Sequence, residues 1–129
     1  MFAMNGDELV DVDFAALLER HRATGAAATV TVAQPPSQFG QVDLTEDDVV
    51  TGFHEVAQVP YWVNCGIYVL SPEALDRFPE RGDHETSTFP ELAAEGTLRA
   101  FRHTGLWLTV NTPKELKRAD DHVTAHPEW

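Results

Sequence analysis

The stretch that decides the fold is the first fourteen residues, 1-MFAMNGDELVDVDF-14. Residues 2–5 are mostly apolar, and the polar turn Asn5-Gly6-Asp7 ends that run. Asp13 stands where a helix N-cap is expected. The apolar residues that follow recur at helical spacing: Phe14, Leu17 and Leu18. The stretch therefore predicts a short buried strand, a polar turn and an amphipathic helix, which is the order found at ligand sites of α/β proteins.

The rest of the chain alternates predicted strands with predicted helices. Gly25 suits the end of the first helix, because glycine accepts the left-handed conformation found there. Strands are predicted at 26–33, 41–44, 49–56 and 61–70, and 97–103 with 105–110 as a hairpin. Further helices are predicted from Ser71-Pro72, over 89–95, and from Thr112-Pro113 toward His126. We expect one α/β domain over residues 1–129, with helices flanking a mixed, mainly parallel sheet.

Composition and charge restrict the class of partner. With 43% apolar residues among 129, the chain has enough material for a core and is not expected to be disordered. The net charge is −12, with 21 acidic and 9 basic residues, so nucleic acid is a poor partner. Only Lys114 and Lys117 are lysines. An acidic, lysine-poor surface also suits a salt-adapted protein, which is a hypothesis.

Hydropathy and cysteine content predict a cytoplasmic protein. No apolar run approaches the ~18 residues of a membrane span, and no leader pattern precedes the predicted fold. We therefore expect no membrane partner. Cys65 is the only cysteine, which fits a reducing compartment. Its apolar surroundings predict a buried thiol with no role in catalysis.

The turn after the first strand is the first candidate site. In open α/β sheets ligands bind beyond the carboxyl ends of strands. Gly6 allows a ligand to approach the backbone, and Asp7 offers a hard oxygen ligand for Mg²⁺. Ordinary turn chemistry explains the same residues equally well. The residues alone leave both interpretations open.

The order of five segments resembles a known family. The segments are NGDELVDVDFAALLERHRATGAAATV (5–30), FGQVDLTEDDVVTGFHE (39–55), NCGIYVLSPEALDRFP (64–79), TFPELAAEGTLRAF (88–101) and GLWLTVNTPKEL (105–116). Together they are similar to the sugar-1-phosphate nucleotidyltransferase family over essentially the whole chain. The resemblance implies a partial Rossmann-like nucleotidyltransferase fold. It also implies the family's reaction, in which a nucleoside triphosphate and a sugar 1-phosphate give a nucleotide-sugar and pyrophosphate.

The resemblance also assigns roles to individual residues. It implies that Asp7 is a Mg²⁺ ligand with a catalytic role and that Gly40 contacts the sugar through its backbone. Glu55 would hydrogen-bond sugar hydroxyls, and Asn64 and Gly66 would line the same pocket. Carboxylate and amide groups are suited to that task because each can serve vicinal hydroxyls.

Departures from the family pattern imply an incomplete site. The family's glycine-rich loop and its later Pro-Lys, which bind the triphosphate, have no counterpart in the sequence. Thr109 occupies the position of the second metal-binding aspartate, and Asn111 that of the following glycine. Val56 stands where the family has a phosphate-binding lysine. The resemblance thus implies a truncated domain without the N-terminal strands, with a partial Mg²⁺ and sugar-phosphate half-site and no independent activity.

Two further expectations concern partners. A family strand that is normally interior would be uncovered at residues 2–5, so we expect self-association or pairing with a complementary nucleotidyltransferase chain. The alternative function is a regulatory or binding subunit that docks on an intact homologue and senses nucleotide-sugar. A small-ligand or metal-binding domain is a third alternative. His54 faces the sugar pocket or the opposite side, and His103 is expected at the surface or an interface.

Overall fold

The computed structural model of the chain describes residues 1–37, 39–55 and 58–128. These residues form eight strands and four helices. The strands are β1 (Phe2–Met4), β2 (Glu8–Val10), β3 (Ala28–Ala33), β4 (Gln41–Leu44), β5 (Val50–His54), β6 (Val63–Leu70), β7 (Leu98–Arg102) and β8 (Trp107–Thr109). The helices are α1 (Phe14–Thr24), α2 (Pro72–Leu75), α3 (Thr88–Ala94) and α4 (Pro113–Ala125). None of the helices described is long and apolar enough to cross a membrane.

The central sheet has the strand order β1-β6-β3-β7. β6 is antiparallel to both β1 and β3, whereas β3 and β7 are parallel. It follows that β1, β3 and β7 run in one direction and end at the same edge of the sheet. The α/β class and the mixed sheet are confirmed. Hydrogen-bonded parallel pairing among the described strands is confined to β3 and β7, because β6 separates β1 from β3.

The predicted helix ends are confirmed by their capping geometry. The Asp13 carboxylate accepts a hydrogen bond from the Ala16 N–H at 2.9 Å, and Gly25 closes α1 with φ of 59°. Ser71 caps α2, and Thr112 caps α4. Each such N-cap is worth about 1 kcal/mol. These local signals fix where the helices begin before any tertiary contact is considered.

Helices cover both faces of the sheet. On one face the buried residues are Ala28, Tyr68, Leu70, Ala74, Phe89 and Leu92. On the other face, where α1 packs, they are Val12, Leu17, Ile67 and Val69. Alternate residues of β6 face opposite clusters, as the two-residue period of a strand requires. β6 is therefore the strand that joins the two halves of the core.

The strand predicted at residues 2–5 is confirmed as β1 (Phe2–Met4), but the prediction that it is buried is wrong. Phe2 is 41% exposed and Met4 is 60% exposed. β1 lies at the edge of the sheet with β6 as its partner, and none of the other strands described pairs with its second side. An exposed apolar edge strand favours association. Association itself stays a prediction.

The predicted hairpin around Thr104-Gly105 is also wrong. β7 pairs with β3, and β8 pairs antiparallel with β2, a strand that the sequence pattern did not predict. His103, expected at the surface or an interface, is only 7% exposed, and its ring lies 3.0 Å from the Asp11 carboxylate. A Cβ on Gly105 would collide with the Asp11 side chain. The segment after β7 therefore turns away to form a ribbon with the segment after β1.

Candidate functional site

The candidate site lies where β1, β3 and β7 end. The Asn5 N–H donates to the Gly66 carbonyl at 2.8 Å, which places the turn after β1 beside the middle of β6. Asn64 lies two residues earlier on β6, level with Val32 of β3. The sequence-predicted groups Asn5–Asp7 and Asn64–Gly66 are thus brought to one edge of the sheet.

Gly66 is the residue that permits this approach. Its φ is +68°, in the left-handed region that side chains disfavour. A Cβ at this position would lie 2.7 Å from Nδ2 and 3.0 Å from Cβ of Asn5. Glycine at position 66 is therefore needed both for the backbone turn and for the contact with Asn5.

The Asn64 side chain belongs to a polar network. Its Oδ1 accepts the Gly66 N–H at 2.9 Å, and its Nδ2 donates to the Tyr68 hydroxyl at 2.7 Å and to Oε1 of Glu85 at 2.6 Å. The Tyr68 hydroxyl also donates to Oε1 of Glu85 at 2.6 Å. Burial raises the pKa of Tyr68, and the hydrogen bond to Glu85 raises it further. Both amide donors of Asn64 are used within the protein, which holds the amide in one orientation.

Tyr68 and Glu85 were missed by the sequence reasoning. Tyr68 lies four residues after Asn64 on the same face of β6, so the two-residue period of the strand could have indicated it. Glu85 comes from the irregular segment between α2 and α3, and nothing in the sequence pattern places it beside Asn64. The carboxylate of Glu85 is exposed, so this edge of the sheet has a hydrogen-bond acceptor in addition to Oδ1 of Asn64.

Asp7 lies at the start of the β2–β8 ribbon. Its side chain is exposed, and its carbonyl accepts the Val110 N–H at 2.8 Å. The next residue, Glu8, is the register partner of Thr109. The Thr109 hydroxyl donates to Oε1 of Glu115 at 3.1 Å. The fold therefore brings Asp7 close to the position that the resemblance assigns to the second metal ligand.

The carboxylates of this ribbon permit a limited test for a metal site. In the part of the chain that the structure describes, no group of three His, Cys, Asp or Glu side chains is arranged to hold a metal ion. Mg²⁺ is often bound by one or two carboxylates, with substrate phosphates and water completing the shell. Exposed Asp7 suits that substrate-completed mode. It does not suit a cage built from protein ligands alone.

Glu8 is the half-buried acid of the ribbon. Its Oε2 accepts the Trp107 Nε1–H at 2.6 Å. Burial raises the pKa of Glu8, and the negative charges of Asp7 and Glu115 raise it further, whereas the hydrogen bond from Trp107 opposes the shift. The carboxylates of Asp7 and Glu115 are thus close enough to act electrostatically on Glu8. The sequence reasoning did not single out Glu8.

Glu8 predicts a pH dependence of stability. A carboxyl whose pKa is raised in the folded state binds more protons there than in the unfolded chain, so the free energy of unfolding falls as pH rises through the ordinary glutamate range toward the raised value. We expect Glu8→Gln to flatten that part of the stability profile measured by urea unfolding between pH 4 and 7. The exposed control Glu19→Gln is expected to leave the slope unchanged. A slope that is identical in wild type and Glu8→Gln would contradict the assignment.

Gly40 and Glu55 lie at the base of the β4–β5 hairpin. They flank the register pair of Gln41 and His54, so they lie on opposite strands at the same end. A Cβ on Gly40 would lie 2.7 Å from the tip of the Phe53 ring. Packing against Phe53 therefore also favours glycine at position 40. Glu55 is exposed. No contact described in the structure joins this pair to Asn64 or Asp7.

The remaining predicted positions have simpler environments. A Cβ on Gly6 would meet nothing within 4 Å, so its neighbourhood is open to a ligand. The His54 ring lies 2.7 Å from the Asp43 carboxylate across the hairpin. Val56 lies outside the described residues. Cys65 is fully buried, as predicted, and burial raises the pKa of its thiol to about 12, which disfavours the thiolate needed for nucleophilic attack.

Comparison with known proteins identifies the class. Residues 1–126 match the nucleotidyl transferase family. The chain is 36% identical over 113 residues to "Probable glucose-1-phosphate cytidylyltransferase" of Bacillus subtilis (strain 168), covering 86% of this chain and 44% of that protein. It is 32% identical over 139 residues to "Mannose-1-phosphate guanyltransferase beta-A" of Xenopus laevis, covering 99% of this chain and 39% of that protein. These relatives are sugar-1-phosphate nucleotidyltransferases by name.

Solved structures give the same fold. The crystal structure of HddC from Yersinia pseudotuberculosis matches with a TM-score of 0.67 and 18% identity, covering 95% of this chain and 54% of that one. The chain belongs to the nucleotidyl transferase family. It spans about two-fifths of the length of the two curated relatives and about half of the solved chain.

Proposed function

We propose that these residues form the sugar-1-phosphate side of a nucleotidyltransferase site and that the 129-residue chain does not catalyse the reaction by itself. The observation that supports this best is the hydrogen bond of 2.8 Å from Asn5 to Gly66, which places the turn containing Asp7 beside Asn64. Relatives named for glucose 1-phosphate and mannose 1-phosphate support the class of substrate.

The reaction is an in-line transfer. A phosphate oxygen of the sugar 1-phosphate attacks the α-phosphorus of a nucleoside triphosphate, and a new P–O bond forms. The bond from that phosphorus to the oxygen bridging to the β-phosphorus breaks, and pyrophosphate leaves. Catalysis of such a step depends on positioning the reactants and on stabilising the developing charge.

The chain's own residues would position the sugar. Glu55 and Glu85 offer exposed carboxylates that accept hydrogen bonds from sugar hydroxyls, and Gly6 leaves its backbone accessible. Asn64, whose amide donors are already used, would fix the turn at Gly66 and offer its Oδ1 as an additional acceptor. Asp7 would hold Mg²⁺ with the phosphates, and bound Mg²⁺ would supply charge neutralisation at the phosphates.

We propose that the nucleoside triphosphate is bound by residues that do not belong to this chain. The glycines at positions 6, 25 and 40 are isolated in sequence and form no phosphate loop pattern. Thr109, whose hydroxyl donates to Glu115, offers no carboxylate at the second ligand position. A homologous or complementary nucleotidyltransferase chain is the proposed partner, and the exposed β1 edge supports such pairing.

The test is calorimetric titration of the chain with glucose 1-phosphate and mannose 1-phosphate. We expect binding of at least one of them, weakened about tenfold or more by Glu55→Gln, because a hydrogen bond to a charged group is worth about 1.5–3 kcal/mol. Glu46→Gln, an exposed acid at the hairpin tip, is the matched control. Equal affinity of wild type and Glu55→Gln would contradict the sugar assignment. Pyrophosphate release by the chain alone with CTP or GTP would contradict the incompleteness.

A further inference from the structure

The β4–β5 hairpin has one apolar and one polar face. Its register places four apolar side chains on the same face, with Val42 opposite Phe53 and Leu44 opposite Val50. Asp43 and His54 alternate with these residues along the strands and therefore lie on the other face, because successive side chains of a strand point to opposite sides. The contact of 2.7 Å between the His54 ring and the Asp43 carboxylate is made across that polar face.

The apolar face of the hairpin is exposed to solvent. Its four side chains are 46% to 64% exposed, and none of residues 41–55 is buried. Among the described strands, β4 and β5 pair only with each other. A two-stranded hairpin is marginally stable in water unless its apolar face packs against another element. A contiguous exposed apolar face of this kind is typical of a protein interaction surface.

Acidic residues surround this apolar face. Residues 39–55 contain no lysine or arginine, and their five acids are Asp43, Glu46, Asp47, Asp48 and Glu55. All five are exposed, and three of them follow one another at the hairpin tip. The hairpin thus has an apolar centre and a charged rim, which is the arrangement found in protein–protein interfaces.

The charge of the rim restricts the kind of partner. A second copy docked face to face would bring the same five acids together, and each copy carries a net charge of −12. Nucleic acid and anionic lipid surfaces are repelled for the same reason. A partner with lysine or arginine beside an apolar stripe is attracted by the rim and buries the face. An amphipathic helix offers that arrangement, because its apolar residues lie on one side and its charged residues beside them.

We propose that the apolar face of the β4–β5 hairpin docks a basic amphipathic helix of another protein. Leu44 and Val50 contact the apolar side of that helix, and Glu46 and Asp47 at the tip pair with its lysines and arginines. The proposal does not rest on the proposed function, because these residues lie toward the tip of the hairpin, whereas the positions assigned to sugar binding lie at its base.

The test is the fluorescence anisotropy of a labelled synthetic peptide titrated with the full 129-residue chain. The peptide consists of leucine and lysine and presents its leucines on one helical face. We expect it to bind, and we expect Leu44→Thr combined with Val50→Thr to weaken binding about tenfold or more. This double replacement removes two apolar contacts and keeps β-branched side chains that suit a strand. Val123→Thr changes a similarly exposed apolar residue on α4 and is the matched control, with little effect expected.

A second variant tests the rim and leaves the apolar face intact. Glu46→Gln combined with Asp47→Asn is expected to weaken binding of the peptide at low salt and to have little effect at high salt, because salt screens interactions between exposed charges. This variant keeps the test decisive if the double threonine replacement disturbs the hairpin.

Four outcomes would overturn the proposal. The first is no binding of the leucine–lysine peptide to wild type, and the second is equal affinity of wild type and the double threonine variant. The third is equal binding of a peptide in which glutamate replaces lysine or serine replaces leucine, since either charge or the apolar stripe would then be irrelevant. The fourth is self-association of the chain in analytical ultracentrifugation that the double threonine variant abolishes, which would assign the face to a second copy.

Discussion

The replacement Leu17→Ala is expected to lower the free energy of unfolding by about 2–5 kcal/mol. Leu17 is fully buried and packs with Val12, Ile67 and Val69 where α1 covers the sheet. Truncation removes the transfer free energy of the side chain and leaves a cavity between helix and strand. Because small domains have a total stability of about 5–15 kcal/mol, much of the population is expected to unfold at moderate urea concentrations.

Urea unfolding followed by far-ultraviolet circular dichroism measures this change. Leu116→Ala is the matched control, since Leu116 is 57% exposed on α4 and is expected to change stability by no more than about 0.5 kcal/mol. A Leu17→Ala protein as stable as wild type would show that α1 does not pack on β6 as described.

The replacement Gly66→Ala is expected to lower the free energy of unfolding by about 2–5 kcal/mol and to disturb the candidate site. The left-handed conformation costs a side chain about 1–2 kcal/mol, and forcing a Cβ against Asn5 adds an overpacking cost of about 1–3 kcal/mol. The hydrogen bond from Asn5 to Gly66 would be strained, so the turn that carries Asp7 would shift. Stability and binding of glucose 1-phosphate are therefore expected to fall together.

Gly96→Ala separates the two contributions to that cost. Gly96 has φ of +71°, close to that of Gly66, but a Cβ there would meet nothing within 4 Å. Gly96→Ala is therefore expected to lower the free energy of unfolding only through the left-handed backbone conformation, by about 1–2 kcal/mol. Binding of sugar phosphate is expected to stay intact. If Gly66→Ala and Gly96→Ala lower the free energy of unfolding by the same amount, the contact between a Cβ at position 66 and Asn5 does not contribute to the loss.

Local sequence signals predicted most of the elements. Asp13, Gly25, Ser71 and Thr112 mark helix ends through hydrogen bonds and backbone conformations that depend on few neighbours. β3 and β6 were predictable because their runs of β-branched and apolar residues suit buried strands. The α/β class followed from the alternation of these elements.

Strand pairing was not predictable in the same way. β2 and β8 have three residues each, too few for a periodic pattern, and they pair across nearly the whole chain. The Thr104-Gly105 pair is typical of a hairpin turn, yet β7 joins β3 because Ala28–Val32 offers it a buried parallel partner. The exposure of β1 depends on which strands lie beside it, and that is a property of the whole sheet.

The candidate site was predicted in part through resemblance and in part missed. Asn64 and Gly66 were predicted, and the contact of Gly66 with Asn5 gives a physical reason for the glycine. Glu85 reaches Asn64 from an irregular segment, and Glu8 is defined by its contact with Trp107. Such contacts depend on tertiary packing, and no periodic pattern in the sequence predicts them.

The measurement that tests the central claim most directly is a two-dimensional nitrogen–proton NMR titration of the labelled chain with glucose 1-phosphate. We expect the largest shifts of backbone amide signals to occur together at Asn5–Asp7 and Asn64–Gly66, with further shifts at Gly40 and Glu55. Saturable shifts that leave these amides unchanged, or no shifts at millimolar ligand, would contradict the claim that this edge of the sheet binds a sugar phosphate.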